Sequence, residues 1–125
     1  MAALDLPFRM KSLDTVLGVP DGPESGEIKA LSVSTGQVEW DTKVTGLPLG
    51  AASVAGNLDF TTLFNCALLA PNRATGAIVY RRQLPAPTNA PIAIAGDRVL
   101  VPLGAPATSK TKPRGKPQLV AYTVP

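Results

Sequence analysis

Residues 30–40 read ALSVSTGQVEW, and residues 70–80 read APNRATGAIVY. The two stretches share an alanine, a Thr-Gly pair and a large aromatic residue, each at one constant separation of 40 positions. The matched residues are Ala30 and Ala70, Thr35 and Thr75, Gly36 and Gly76, and Trp40 and Tyr80. Two further glycines, Gly56 and Gly96, keep the same separation. A period of this length indicates an array of repeated structural units.

Each unit has the sequence pattern of short strands. The stretches LDFTTLF (58–64), AIVYRRQL (77–84) and RVLVPL (98–103) are rich in β-branched, aromatic and aliphatic residues. The chain has 125 residues with 13 Pro and 11 Gly, a content that favours turns between short strands over long helices.

One complete unit is predicted to contain four strands, with a two-residue hairpin loop at Asn65-Cys66. The predicted strands are residues 49–55, 58–64, 67–72 and 77–83. Four antiparallel strands in about forty residues are typical of one blade of a β-propeller. The Thr-Gly turn would join the third strand to the fourth. The aromatic residue would lie on the outer strand, where the Trp40 indole N–H could donate to a backbone carbonyl of the neighbouring blade.

These residues resemble the repeat of the quinoprotein-type β-propellers, the family named after pyrroloquinoline quinone (PQQ). That repeat is similar to A-L-D-x-x-T-G-x-x-x-W, followed by an A-V-A-G-like strand and a hairpin, and the resemblance covers approximately residues 26–125. It implies an all-β fold, a partial β-propeller of four-stranded antiparallel blades with PQQ-like repeats. The eight matched residues above and Ala121 are predicted to carry the structural repeat motif.

The blades divide the chain unevenly. Residues 1–25 form an N-terminal stub and loop, which could supply one strand of a preceding blade from residues 14–23. Residues 26–125 form the propeller repeats: a partial blade (26–45), a full blade (46–84) and a partial blade (85–125) with a basic loop (104–117). The strand numbers are two, four and three, whereas a closed ring needs four to eight whole blades. The expected partners are therefore missing propeller blades or copies of this chain.

An insertion interrupts the third unit. The period of 40 places an alanine at position 110, but the matching residue is Ala121, so about eleven residues are added. The inserted stretch contains four basic residues, Lys110, Lys112, Arg114 and Lys116. They could contact an acidic partner, but the pattern favours a solvated loop. The absence of an interleaved aromatic residue and a net charge of only +3 predict no nucleic-acid partner.

Several residues depart from the repeat pattern. The usual aspartate of A-L-D is Ser32, Asn72 and Thr123 here, and three further residues of the full blade differ. Cys66 stands where a hairpin glycine is expected, Asp59 where a strand needs an apolar residue, and Pro71 where a strand needs a backbone donor. Together they suggest a weakened copy of the repeat.

The residues that carry chemistry are few. The chain has no His and one Cys, which excludes histidine-based zinc sites, Ser-His-Asp triads and an intrachain disulfide. The acidic residues are scattered and form no recognisable pair, so no catalytic or metal-binding residue is predicted, and the cofactor-binding residues stay unknown. No transmembrane segment or signal peptide is predicted. The family is often exported to the periplasm or the extracellular space, so the compartment stays open.

Three functions are compatible with these features. The first is a non-catalytic scaffold or interaction surface; some relatives act as assembly scaffolds in the bacterial envelope. The second is the C-terminal part of a PQQ-dependent dehydrogenase, in which case the resemblance implies PQQ and Ca²⁺ in a full-length relative. The third is a small module that oligomerises into a ring and binds a ligand. The sequence favours the first, without cofactor or enzymatic activity for this chain alone.

Overall fold

The computed structural model describes residues 25–104 and 117–123. Within these ranges the chain forms nine β-strands and no helix. The strands are β1 (Gly26–Leu31), β2 (Val38–Val44), β3 (Ser53–Ala55), β4 (Leu58–Leu63), β5 (Ala67–Pro71), β6 (Ile78–Gln83), β7 (Ala93–Ala95), β8 (Arg98–Leu103) and β9 (Gln118–Thr123). The first strand of the full blade is shorter than predicted, because only three residues before the turn pair with β4. The strand suggested at residues 14–23 lies outside the described residues.

The strands form three antiparallel sheets in chain order. Sheet 1 contains β1 and β2, sheet 2 contains β3 to β6, and sheet 3 contains β7 to β9. Within each sheet, every strand pairs with the next strand along the chain. The grouping into two, four and three strands is the one that the sequence pattern predicts for the described residues.

The pairing register repeats with the sequence motif. Ala30 faces Trp40 across sheet 1, and Ala70 faces Tyr80 across sheet 2. The register shifts directly after each alanine, at Leu31 and at Pro71. Pro71 therefore ends β5 at an irregular pair, where a missing backbone donor is tolerated.

The hairpin turns require glycine at two positions, and one of them is longer than the sequence predicts. Gly56 and Gly96 open two-residue turns with φ of 57° and 59°, in the left-handed region that favours glycine. The loop from β4 to β5 has three residues, Phe64 to Cys66, and not the predicted two, because Leu63 pairs with Ala67. The Cys66 N–H donates to the Leu63 carbonyl at 3.1 Å, and Cys66 has a φ of 68°.

The sheets stand side by side and diverge from one edge. Among the described strands, β3 and β7 are the only two from different sheets whose backbones approach within 8 Å. The Ser53 hydroxyl of β3 donates to the Ile92 carbonyl at 2.8 Å and ties this inner edge together. Further out, side chains fill the widening gap between sheets. This wedge arrangement is that of successive blades of a β-propeller, so the predicted all-β, partial-propeller fold class is confirmed.

Two hydrophobic cores fill the gaps between the sheets. We call the side of a sheet that faces the next sheet its forward face, and the opposite side its rear face. The core between sheets 1 and 2 contains Ile28, Trp40, Val44, Leu63, Ala67 and Leu69. The core between sheets 2 and 3 contains Phe60, Leu68, Ala70, Leu84, Ala86, Ile92, Val99, Val101 and Leu103. Three members of the first core match members of the second at the period of 40: Ile28 with Leu68, Val44 with Leu84, and Leu63 with Leu103. Each fully buried side chain of this size stabilises the fold by about 1.5–3 kcal/mol.

Candidate functional site

The motif residues of sheet 1 hold the third-to-fourth-strand turn of sheet 2. The indole N–H of Trp40 donates to the Arg73 carbonyl at 2.8 Å. The hydroxyl of Thr42, two residues further along β2, donates to the Gly76 carbonyl at 2.7 Å. The hydrogen bond of the Trp40 indole is the one that the repeat pattern predicts. The motif therefore joins neighbouring blades, which is a structural task.

The turn itself is closed by polar side chains. The Asn72 side-chain oxygen accepts hydrogen bonds from the N–H groups of Ala74 at 2.9 Å and Thr75 at 3.2 Å. The Thr75 hydroxyl accepts a third from Ala77 at 3.3 Å. Asn and Ser can each take this local role, and Ser32 stands at the corresponding position of sheet 1. The departure of these two residues from the usual aspartate therefore preserves the turn.

A different contact joins β6 of sheet 2 to β9 of sheet 3. The Arg82 guanidinium lies 4.3 Å from the centre of the Tyr122 ring, a cation–π geometry. A hydrogen bond to Tyr80 raises the pKa of Arg82. Arg82 stands at the position of Thr42 in the repeat, so both residues make a contact with the next sheet.

The forward face of sheet 3 carries apolar residues and, at one end, Arg98 opposite Thr123, and no described sheet covers it. Val99, Val101 and Leu103 point to the core shared with sheet 2, so the alternate residues of β8 point the other way. Leu100 pairs with Ala121 and Pro102 with Leu119 on this forward face. The equivalent face of sheet 2 carries Phe60, Leu68 and Ala70 in the buried core. Leu68 is 1% exposed, whereas Leu119, its counterpart, is 66% exposed.

The rear face of sheet 1 carries four charges in place of core residues. Glu27 pairs with Lys43, and Lys29 with Asp41, across β1 and β2. Lys29 lies 2.7 Å from Glu27 and 3.2 Å from Asp41, while Lys43 contacts Glu27 and lies 3.6 Å from Asp41. We call these four residues the charge quartet. In sheet 2 the positions of Glu27 and Lys29 are taken by the buried Ala67 and Leu69.

The charge quartet shifts the titration of its members. Hydrogen bonds from Lys29 and then Lys43 lower the pKa of Glu27 from 4.5 to about 2. The hydrogen bond to Glu27 raises the pKa of both lysines. All four side chains keep substantial contact with water. The described part of this face can therefore stay exposed to solvent without a covering sheet.

Asp59 is the buried acid of the described residues. It lies in β4, 7% exposed, and burial raises its pKa while the charge of Arg73 lowers it. Its counterpart in the repeat is Val99, a member of the apolar core. In residues 25–104 and 117–123, no group of three or more His, Cys, Asp or Glu could hold a metal ion. A single buried carboxylate does not fit the donor set of a Ca²⁺ and quinone site, since Ca²⁺ takes six to eight oxygen ligands.

The remaining predicted site residues fall into two groups. The motif residues of sheets 1 and 2 meet at the turns and inter-sheet contacts described above, and Ala121 lies on the open forward face of sheet 3. The basic residues Lys110, Lys112, Arg114 and Lys116 lie outside the described residues. The repeat pattern does not predict the charge quartet. Its signal was the alternation of charges in EIK (27–29) and DTK (41–43), which becomes informative only once the pairing register is known.

Sheets, turns and cores together define the chain as consecutive blades of a β-propeller. In agreement, the fold is similar to the crystal structure of BamB from Moraxella catarrhalis, a β-propeller, with a TM-score of 0.56 and 21% sequence identity. The match covers 73% of this chain and 30% of that protein, so the chain corresponds to less than a third of its length. No protein-family profile matches the sequence. No curated protein matches it either.

None of the described segments is a helix long and apolar enough to cross a membrane.

Proposed function

We propose that this chain is a non-catalytic β-propeller segment of the PQQ-repeat type that acts as a scaffold or interaction surface. The observation that carries the proposal is the open forward face of sheet 3. This face carries Leu100, Leu119 and Ala121. Their counterparts in sheet 2 are Phe60, Leu68 and Ala70, which pack against sheet 3. An exposed apolar surface that repeats a buried interface is a docking surface.

The partner that fits this surface is the rear face of a further antiparallel blade. Sheet 3 itself defines the required chemistry, since it presents Val99, Val101 and Leu103 to sheet 2. A partner strand with branched aliphatic residues at three alternate positions would continue the series of cores. Such an interface is a direct extension of the one between sheets 2 and 3.

A second copy of this chain fits less well, which disfavours the ring-forming module. To extend the array head to tail, a copy would have to place the rear face of its sheet 1 on the forward face of sheet 3. The charge quartet would then lie against Leu100 and Leu119. Burying charges against apolar surface costs several kcal/mol per ion unless new partners replace water. Leu and Ala offer none, and the charged residue described on this face, Arg98, could pair only with the acids of the quartet and not with its lysines.

The second function, part of a PQQ-dependent dehydrogenase, keeps only the repeat pattern in its favour. The described residues lack a donor set that fits Ca²⁺, so we propose no cofactor for this chain. Titration with PQQ and CaCl₂, followed by absorbance and by dye-linked dehydrogenase activity, tests this point. Saturable binding of the quinone, or turnover of an alcohol or a sugar, would favour the dehydrogenase.

Site-specific photo-crosslinking tests the interaction role. A photoreactive amino acid at position 119 reports on the forward face of sheet 3. The matched control is position 33, since Val33 is 97% exposed and lies in the turn between β1 and β2. In cells of the source organism, we expect position 119 to crosslink to an identified polypeptide, with the crosslink mapping to a β-blade strand of that polypeptide. No crosslink at 119, or the same products from 33 and 119, would contradict the proposal.

A further inference from the structure

The charge quartet has a fixed order of signs. Lys29 contacts both acids, Glu27 at 2.7 Å and Asp41 at 3.2 Å. Lys43 contacts the same two acids and lies 3.6 Å from Asp41. Each charge therefore has an opposite charge beside it along its own strand and another across the strand pair. The four charges form a square in which the signs alternate from corner to corner and like charges lie on the diagonals.

The square lies on an accessible surface. Its side chains are 31% to 70% exposed, whereas Ile28, Trp40 and Val44 of the same two strands are buried against sheet 2. β1 and β2 therefore place apolar residues on the forward face and the charges on the rear face. Because the charged groups already contact water, they can meet a partner without any rearrangement of the strands.

The alternation of signs restricts the kind of partner. The quartet contains two acids and two bases, so its net charge is zero. A surface of one sign, such as a polyanion or an anionic membrane, would be attracted by two members and repelled by the other two. A partner gives every member an opposite charge only if its own charges alternate with the same spacing. The quartet itself has this spacing.

A second copy of the quartet meets the requirement when two copies lie face to face. A half-turn of an alternating square, about an axis in its plane and parallel to one side, places a corner of opposite sign over every corner. With the axis along the strands, Glu27 faces Lys43 of the second copy and Lys29 faces Asp41. With the axis across the strands, Glu27 faces Lys29 and Asp41 faces Lys43. Both arrangements keep the strands of the two copies aligned, as packed sheets prefer, whereas an axis along a diagonal would bring like charges together.

From this symmetry we infer that the charge quartet is a self-association surface, through which two copies of this chain form a face-to-face pair with a two-fold axis in the plane of the interface. A two-fold interface uses the same patch of both copies, so the patch must be self-complementary. This pair differs from the head-to-tail array disfavoured above, in which the quartet would lie against Leu100 and Leu119. It closes on itself and adds no further copy through this face.

The association should be weak and sensitive to salt. Four side chains from each copy bury less than the area of about 1,200 Å² at which stable interfaces begin. Complementary charges contribute more to the orientation and the rate of encounter than to affinity. We therefore expect a dissociation constant of about 0.1–1 mM at low salt. An increase in ionic strength from about 0.05 M to about 0.5 M should weaken the pairing at least about tenfold.

The inference goes beyond the proposed function, because it concerns a different surface. The quartet lies on sheet 1 and the proposed docking surface on sheet 3, so pairing leaves the forward face of sheet 3 free in both copies. Where the proposed function also holds, each pair presents two docking surfaces. A partner with two suitable blades would then bind with higher avidity than a partner with one.

Dilution of the isotope-labelled full chain, followed by NMR, tests the pairing. We expect the amide signals of the charge quartet to shift together between about 1 mM and about 0.05 mM protein, while those of β9 stay unchanged. Sedimentation velocity over the same range should show a monomer–dimer equilibrium that high salt shifts to monomer. Concentration-dependent shifts confined to sheet 3, or a dimer that high salt does not weaken, would overturn the inference.

Two variants separate the alternation of charge from the individual side chains. The inverted variant, with Glu27→Lys, Lys29→Glu, Asp41→Lys and Lys43→Glu, exchanges every sign and keeps the alternation. We expect it to pair within about twofold of the natural affinity. In the neutral variant all four residues become threonine, which suits strands and leaves the net charge unchanged, and we expect no pairing. Pairing of the neutral variant, or a folded inverted variant that stays monomeric, would contradict the inference.

A matched control removes charges outside the quartet. Glu39→Gln combined with Arg81→Gln takes away one exposed acid and one exposed base, and it should pair as the natural chain does. A dispersed amide spectrum shows that each variant is folded. If a variant does not fold, the dilution and salt response of the natural chain decides the question.

The outcomes for the quartet and for the proposed function are independent. If the quartet shows no pairing while position 119 still crosslinks to a blade, only the self-association surface is wrong. If the quartet pairs while crosslinking at 119 fails, the docking surface is wrong and the pairing stands.

Discussion

The indole of Trp40 lies directly against Gly76: a Cβ added to Gly76 would stand 2.6 Å from Cε3 of the indole and 2.7 Å from the Thr42 hydroxyl. Gly36 is the counterpart of Gly76 in sheet 1 and has nearly the same backbone, with φ of 72° against 73°. No atom of residues 25–104 and 117–123 lies within 4 Å of a Cβ built on Gly36. The two glycines therefore share one backbone requirement, but only Gly76 also has to leave room for the neighbouring blade.

This pair separates the energy of the turn from the energy of the blade contact. We expect Gly36→Ala to destabilise the fold by about 1–2 kcal/mol, the strain of an L-residue in the left-handed region. Gly76→Ala should cost that amount and at least about 1–3 kcal/mol more, since Trp40 must move. Urea unfolding of both variants measures the difference. Equal losses would mean that the indole does not hold the turn.

Substitution of Trp40 tests the hydrogen bond to sheet 2. Trp40→Phe keeps most of the apolar contact but leaves the partly buried Arg73 carbonyl without its donor, so we expect a loss of about 1–3 kcal/mol in the free energy of unfolding. Thr42→Val removes the second donor to the same turn. The two losses should not add in the double variant, because both donors hold one turn. Strict additivity would show that the two hydrogen bonds act independently.

Asp59 provides a prediction on stability and pH. Burial raises the pKa of Asp59 in the folded chain. The free energy of unfolding therefore falls as the pH rises from the ordinary pKa of an aspartate through the raised pKa of Asp59 in the folded chain. Asp59→Val should therefore stabilise the fold at neutral pH by about 1–3 kcal/mol, with a smaller gain in acid. The reverse change at the counterpart, Val99→Asp, should destabilise it. Unfolding curves at pH 4 and pH 7 provide the measurement, and no gain at pH 7 would contradict the prediction.

The charge quartet should respond to pH in the opposite direction. The pKa of Glu27 is lowered from 4.5 to about 2, so its contribution to stability is complete above about pH 4.5 and is lost as the pH falls towards 2. We expect Lys29→Met to raise the pKa of Glu27 towards its ordinary value and to weaken this acid dependence. NMR titration of the Glu27 carboxyl carbon measures the pKa. Glu39→Gln, on β2 and outside the quartet, is the control. An unchanged titration in Lys29→Met would show that Lys29 is not responsible.

Much of the architecture could be predicted from the sequence, because the repeat appears in residues that contact each other. The period of 40 located the Thr-Gly turns, the Trp40 contact and the glycines of the two-residue hairpins. It also identified Ala121 as the displaced counterpart of Ala70, and the register of β8 with β9 places it there. The reason is that turn geometry and strand alternation are local properties, which short sequence patterns record.

The properties of the faces could not be predicted in the same way. The quartet depends on pairing between β1 and β2, which brings Glu27 beside Lys43 although they are 16 positions apart. The predicted length of the loop before Ala67 was also wrong. A two-residue loop and a three-residue loop have the same sequence here and differ only in which residues pair across β4 and β5. Whether Leu119 is buried or open depends on what lies against sheet 3, and no pattern inside β9 contains that information.

The register of β8 with β9 has a consequence for protein engineering. β4 and β5 are joined by three residues and β8 and β9 by a far longer connection, yet Leu100 meets Ala121 in the position that corresponds to Phe60 and Ala70. The length of this connection therefore does not determine the alignment of the two strands. Closing a longer loop adds only about 0.6 kcal/mol for each doubling of its length. The stretch between Gly104 and Pro117 is accordingly the place to insert an epitope tag, a protease site or new chain ends by circular permutation.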